Sequence, residues 1–262
     1  MSVPHKRLKR IEPVAIAGVM TREVINFGSY WRSATFSSTV EPTVYLLAFG
    51  LGLGTVLSEA GGYDYLDFVA TGTVATAVLF TSAFSAMFGS FVKREFQRTY
   101  DALLAAPVDS EELVTAEVLW LAMRSAIFGC APLIVGIIFG LDPSWTIFLV
   151  PFIAALTGFG FASLGTFIAA AVSSIDNFSY VTSALLTPMF LVAGTFFPIS
   201  ELPEWAQVIS QANPLHHCVE LVRSATFNDF EASDLLRVGA LILFGAVAWQ
   251  AAVSRTRSRL VQ

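Results

Sequence analysis

The stretch LWLAMRSAIFGCAPLIVGIIFGLDPSWTIFLVPFIAALTGFGFASLGTFIAAAV, residues 119–172, decides the fold class. It holds two apolar runs, Leu119 to Leu141 and Trp145 to Val172, separated only by Asp142, Pro143 and Ser144. Each run is longer than the roughly 20 residues an α-helix needs to cross the hydrocarbon of a bilayer. So short a connection makes them an antiparallel hairpin with its turn at one membrane face. Four further runs of this kind lie outward of the pair: Thr35 to Leu57, Leu66 to Val92, Phe178 to Phe197, and Leu235 to Val253. The reading is an all-α integral membrane chain with six transmembrane helices over residues 35–253.

Composition agrees. Of 262 residues, 55% are hydrophobic and 13% charged, with mean hydropathy +0.68, whereas a soluble domain carries about 25% charged residues. A net charge of -5 holds no basic excess, so nucleic acid is not an expected partner. Two cysteines, Cys130 and Cys218, make neither a disulfide framework nor a thiolate metal site. The basic start, with Lys6, Arg7, Lys9 and Arg10, is followed by Glu12, Arg22, Glu23 and Arg32, which interrupt any signal-peptide core. No cleavage is expected.

Lys and Arg in the short flanks set orientation. With the N-terminus cytoplasmic, the inside flanks hold Lys6, Arg7, Lys9, Arg10, Arg22, Arg32, Lys93, Arg94, Arg98, Arg255, Arg257 and Arg259. Only Arg223 and Arg237 then lie outside. Both termini are therefore expected in the cytoplasm of a bacterial or archaeal plasma membrane, with residues 254–262 a basic tail.

Three segments outside the spans carry information. Within residues 1–34, Ala17, Met20, Val24, Phe27 and Trp31 recur on one helical face, with Arg22, Glu23, Asn26 and Ser29 opposite. That pattern predicts an amphipathic helix lying in the cytoplasmic interface. Residues 93–117 read as a short helix through Leu104, a break at Pro107, and a restart where Asp109 and Glu112 have capping-box spacing. The result is either a rigid elbow or a plain polar connector. In residues 198–234, Pro203 can start one helix, Asn213 and Pro214 end it, and Leu215 to Phe227 forms a second. Both are too short to span and too apolar for free solvation, which predicts a re-entrant hairpin buried against protein, with an amphipathic surface cap as the alternative.

Catalytic chemistry is missing. A P-loop needs lysine after a glycine-rich turn, and the last lysine, Lys93, follows no glycine. The histidines are His5, His216 and His217, and no nucleophile-elbow or zinc-protease motif occurs. We therefore expect no catalytic residue, no metal site and no bound cofactor. Within the spans the ionisable candidates are Glu41, beside Pro42, and Arg124. Arg124 would lie about 7 to 8 Å into its span, within reach of snorkelling to the cytoplasmic interface. The small-residue pairs Gly50 and Gly54, or Gly136 and Gly140, can bring helices close.

With these features in hand, the chain resembles the permease subunits of the type-2 ABC exporter family, which includes nodulation lipo-oligosaccharide, O-antigen polysaccharide and daunorubicin-type drug exporters. The resemblance covers essentially the whole sequence. Gln97 to Pro107 (QRTYDALLAAP), Phe196 to Trp205 (FFPISELPEW) and Asn213 to Arg223 (NPLHHCVELVR) carry it, together with Leu156 to Leu164 (LTGFGFASL). It implies two paired permeases, identical or closely paralogous, seated in membrane lipid on two copies of a separate ATPase that binds ATP and Mg. It also implies a coupling helix whose Arg98, Thr99, Tyr100, Asp101, Leu103 and Leu104 meet that ATPase. The outer segment, with Pro198, Trp205, Pro214, His216, Glu220 and Arg223, would lie near the outer end of the route. A stand-alone ion-coupled carrier relying on Glu41, and a scaffold without a pathway, are the competing readings.

Overall fold

The computed structural model describes residues 12–54 and 56–260, with the side chains of Glu41, Pro42 and Leu51 outside that description. The basic cluster expected at residues 6–10 and the role expected of Glu41 fall outside the described residues.

Helix α1, Pro13–Leu46, starts with proline at its first turn, where the missing N–H has no helical partner to lose. It runs 34 residues and continues into a π turn, Leu47–Leu51. This corrects one expectation. The amphipathic segment and the first span are a single helix with no break near residue 34, and α1 packs lengthwise on the third apolar helix instead of forming a separate interface element. The side of α1 that packs inward is the one carrying Val19 and Glu23, with Val19 buried among Tyr100, Leu113 and Ala116, while Ala17, Val24 and Trp31 of the expected apolar face stay exposed.

A two-residue hairpin, β1 (Glu59–Ala60) and β2 (Tyr63–Asp64), turns on Gly61 and Gly62, both at positive φ. Helix α2 (Tyr65–Leu79) is capped by the Asp64 carboxylate, passes through a π turn at Phe80–Phe84, and continues as α3 (Ser85–Glu95). The elbow follows as α4 (Thr99–Leu104), reached through Arg98 in the left-handed region at φ 52°. Helix α5 (Ser110–Gly129) begins with the expected capping box of Asp109 and Glu112, and α6 (Ala131–Ile138) prolongs it. After the 142–144 turn, a 3-10 turn leads into α7 (Val150–Ala171).

The fifth apolar run is shorter than expected. Helices α8 (Asn177–Val181) and α9 (Thr187–Leu191), joined by a π turn, cover 177–191, and irregular chain follows from Val192. At about 1.5 Å per residue this is roughly 22 Å, against a hydrocarbon thickness of about 30 Å. Helices α10 (Glu204–Gln211), α11 (Pro214–Phe227) and α12 (Ala232–Leu260) complete the chain.

Among the described residues, four continuous helical stretches are long and apolar enough to cross a membrane: Tyr65–Glu95, Ser110–Ile138, Trp145–Ala171 and Ala232–Leu260. Helix α7 is the hub, packed against α5, α12 and the α2–α3 rod. Close approach depends on Gly158, where an added Cβ would sit 1.9 Å from Ser125 Oγ, and on Gly165, 2.5 Å from the Ala83 carbonyl. Both are helix-packing glycines, as in other lipid-embedded bundles. Of the Gly50/Gly54 and Gly136/Gly140 pairs, one member of each makes a close approach to α2, Gly50 with an added Cβ 2.6 Å from Leu66 and Gly136 3.0 Å from Ala70, whereas a Cβ on Gly54 would strike the carbonyl of Gly50 in its own segment and one on Gly140 meets nothing.

Candidate functional site

Three polar regions interrupt this apolar bundle, one at each end and one between. At the first end, Lys93 near the end of α3 pairs with Glu23 of α1 and Glu117 of α5, each at 2.9 Å. Both carboxylates are buried. Glu117 also accepts a short hydrogen bond from the Tyr100 hydroxyl of α4. Burial, then the Glu117 carboxylate, holds the Tyr100 phenol well above its ordinary pKa, so it stays a neutral donor. Glu23 had been read as part of the polar face of its helix. The structure buries it, because α1 turns that side toward Lys93.

Glu112 adds a second tie. One carboxylate oxygen takes the Asp109 N–H and the other the Glu12 N–H at 2.7 Å, which pins the start of α1 to the start of α5. The end of α12 reaches the same place: Leu260 packs with Val19, Tyr100 and Leu113. Arg259 nearby donates to the carbonyls of Ala170, Ala171 and Val172 at the end of α7, groups that no helical N–H can reach. The elbow and the basic C-terminal end thus share one pole. Of the six expected elbow contacts, Tyr100 faces inward and Thr99, Leu103 and Leu104 are half-buried. Arg98 and Asp101 stand exposed as a pair at 3.8 Å.

Arg124 departs from its expected role. It does not reach toward open water at the interface. Its Nη2 donates to Ser85 Oγ at 2.6 Å across the bundle, at the floor of a cavity of about 350 Å³ between α1, the π turn of α2 and α5.

At the other pole, α11 is buried along most of its length. Its C-terminal end is level with the 142–144 turn, where Ser144 N–H donates to the Thr226 carbonyl at 2.7 Å. Its N-terminal half descends beside α7, with Cys218 next to Thr157, about 20 Å further along that chain. Asn213 caps the lower end, accepting from Leu215 N–H while its amide donates to Met189 O. Arg223 lies over the Phe68 ring at 3.7 Å, donates to Gly194 O at 2.7 Å and pairs with Glu220 at 3.1 Å. Arg237 extends the chain to Asp234 and Glu220. Pro198, His216, Glu220 and Arg223 line a polar cavity of about 400 Å³ there, whereas Trp205 is exposed outside it and Pro214 opens α11 at depth.

Glu117, a lone charge beside an apolar run, was not singled out from sequence, and Lys93 was read only as a basic flank beside Arg94 and not as a buried partner. Among the described residues the arrangement sets no Ser or Cys nucleophile against a histidine base. It can brace helices and transmit motion, and its two cavities can receive small polar groups.

The model of the ABC-2 type transporter family matches residues 15–227. The chain belongs to that family. Its relatives include Nodulation protein J of Sinorhizobium fredii, 31% identical over 88% of this chain and 90% of that protein. Nodulation protein J of Bradyrhizobium diazoefficiens is 29% identical over 94% of this chain and 98% of that one. The inner membrane transport permease YadH of Escherichia coli K12 is 23% identical over 88% of this chain and 90% of its own. The family match ends with α11, so α12 lies beyond it, and its exposed Leu235, Leu236, Leu243 and Val247 form an apolar surface suited to lipid.

Proposed function

We propose that this ABC-2 chain is the permease subunit of an exporter moving an amphipathic substrate, a lipid-linked oligosaccharide or polysaccharide or a hydrophobic drug, out of the cytoplasm or inner leaflet. Energy comes from two copies of a separate ATPase that hold ATP and Mg, and a second permease copy completes the pathway. The observation that carries this reading is the buried chain Tyr100–Glu117–Lys93–Glu23, which fastens the short helix α4 to three membrane helices. A push on α4 from below reaches α1, α3 and α5 together, because a buried ion-pair network resists separation more than a polar connector would.

The chain crosses a bacterial or archaeal plasma membrane six times with both termini inside. Helix α1 supplies the first crossing and 177–191, prolonged by the irregular segment after it, the fifth. Helices α10 and α11 re-enter from outside, and α11 delivers the Arg223–Glu220 pair to the exit. The resemblance to nodulation lipo-oligosaccharide exporters favours a glycolipid among the substrates, and the exposed Trp205 offers an aromatic face to sugars or drug rings.

Arg98→Glu tests the reading. The exposed side chain contributes nothing to the buried network, so the variant should insert and melt as the parent does, yet fail to co-purify an ATPase and lose export. Undiminished export in cells lacking the ATPase would overturn the proposal.

A further inference from the structure

The cavity above Arg124 asks for an anion. Lys93 marks the cytoplasmic pole, and Ser85, which Arg124 engages, stands eight residues earlier on the same helix, about 12 Å deeper into the bundle. A guanidinium at that depth costs several kcal/mol unless an opposite charge meets it. Tyr30 and Ser85 meet it with neutral hydroxyls, but among the described residues no carboxylate lies within 4.0 Å of it, and its Nε has no hydrogen-bond partner. Glu23, the acid nearest in the adjoining polar chamber, is committed to Lys93 and Arg22.

The walls add hydroxyls. Ser37, Ser38, Thr76, Thr81 and Ser85 line the space with Arg124, the one charged residue among its described lining. Thr76, one of these lining residues, is 1% exposed, and its hydroxyl is buried and unpartnered. Buried donors are rarely left without acceptors. Thr81 stands on the π turn Phe80–Phe84, a distortion that recurs at binding sites. A volume of about 350 Å³ is at the small end of the ligand-pocket range.

We propose that this cavity binds the anionic oxygens of a membrane-soluble molecule, a phosphate or carboxylate head group held by Arg124 and Thr76 with its tail along the apolar walls of Phe80 and Phe84. Arginine's planar fork suits such oxygens. The assignment is independent of export, since a resident lipid and a passing substrate present the same chemistry.

The full-length chain in phosphatidylcholine nanodiscs carrying a minority of phosphatidylglycerol tests it, with retained lipid counted by native mass spectrometry. The parent should enrich phosphatidylglycerol, Arg124→Gln should retain it about tenfold less, and Arg124→Lys should keep most of it. Equal retention by parent and Arg124→Gln overturns the site. If Arg124→Gln lowers the melting temperature sharply, the charge-preserving pair Thr76→Val and Ser85→Ala decides, and retention unchanged from the parent overturns it. Displacement by inorganic phosphate supports the site with the oxygens alone as ligand, while resistance to displacement supports it with the tail contributing. Glu41, four residues before Tyr45 on α1, supplies the last arm: enrichment that emerges only in Glu41→Gln would make a carboxylate of the chain the neutralising partner and overturn the proposal.

Discussion

Tyr100 contributes a single oxygen to the pole where α4 sits, and that oxygen joins the elbow to the bundle. Tyr100→Phe removes the bond while keeping the ring in its pocket beside Val19, at a cost of about 1 to 2 kcal/mol, because the buried Glu117 loses a donor. A thermal melt should register this shift, and export should fall further than the melt explains because the elbow loosens. Lys93→Met is the harsher change. It strands Glu23 and Glu117, and removing one partner of a buried ionic set costs roughly 3 to 5 kcal/mol. Combining it with Glu23→Gln and Glu117→Gln should restore most of the melting temperature but not ATPase-driven transport, which separates stability from coupling. Sequence reading reached Tyr100 through family resemblance but placed it outward. The distance along the chain from Glu23 to Glu117 explains the rest, because local patterns say nothing about which charges meet.

At the scale of elements, the caps and breaks were legible and the packing glycines only in part. The Asp109 and Glu112 spacing named the start of α5 to the residue, since a capping box is a local device. Asp109→Ala should destabilise by about 0.5 to 2 kcal/mol, measured by unfolding in detergent. Gly158→Leu should do more, because its side chain would enter Ser125 where α7 meets α5, an overpacking cost of about 1 to 3 kcal/mol. The same substitution at Gly89, where an added Cβ meets nothing, should be nearly silent. Spacing picked Gly50 and Gly136, which do meet α2, but missed Gly158 and Gly165, because a small residue is informative only once its neighbour is known. The merging of the interface segment with the first span has a similar cause: a periodic stripe marks a helix and its faces, without saying whether that helix stops before the next apolar run.

For the whole molecule, the shared pole of elbow and C-terminal end makes topology a direct test. In a chain made cysteine-free at Cys130 and Cys218, single cysteines at Ala102 and at Trp205 should react with an impermeant maleimide from opposite sides of the membrane. Labelling of both from the same side would remove the proposed orientation. Membrane residence, the helical hairpin at 142–144, and the elbow and outer-helix boundaries were determined by the sequence alone. Each depends on hydrophobic length or on contacts within a few residues, quantities that one strand of text contains. Only the tertiary structure decided that Glu23 turns inward to Lys93, that Arg124 reaches Ser85 over an open cavity, and that α11 descends beside α7. Those outcomes depend on the rotation and depth at which helices distant in sequence pack together, which the side chains of several elements settle jointly.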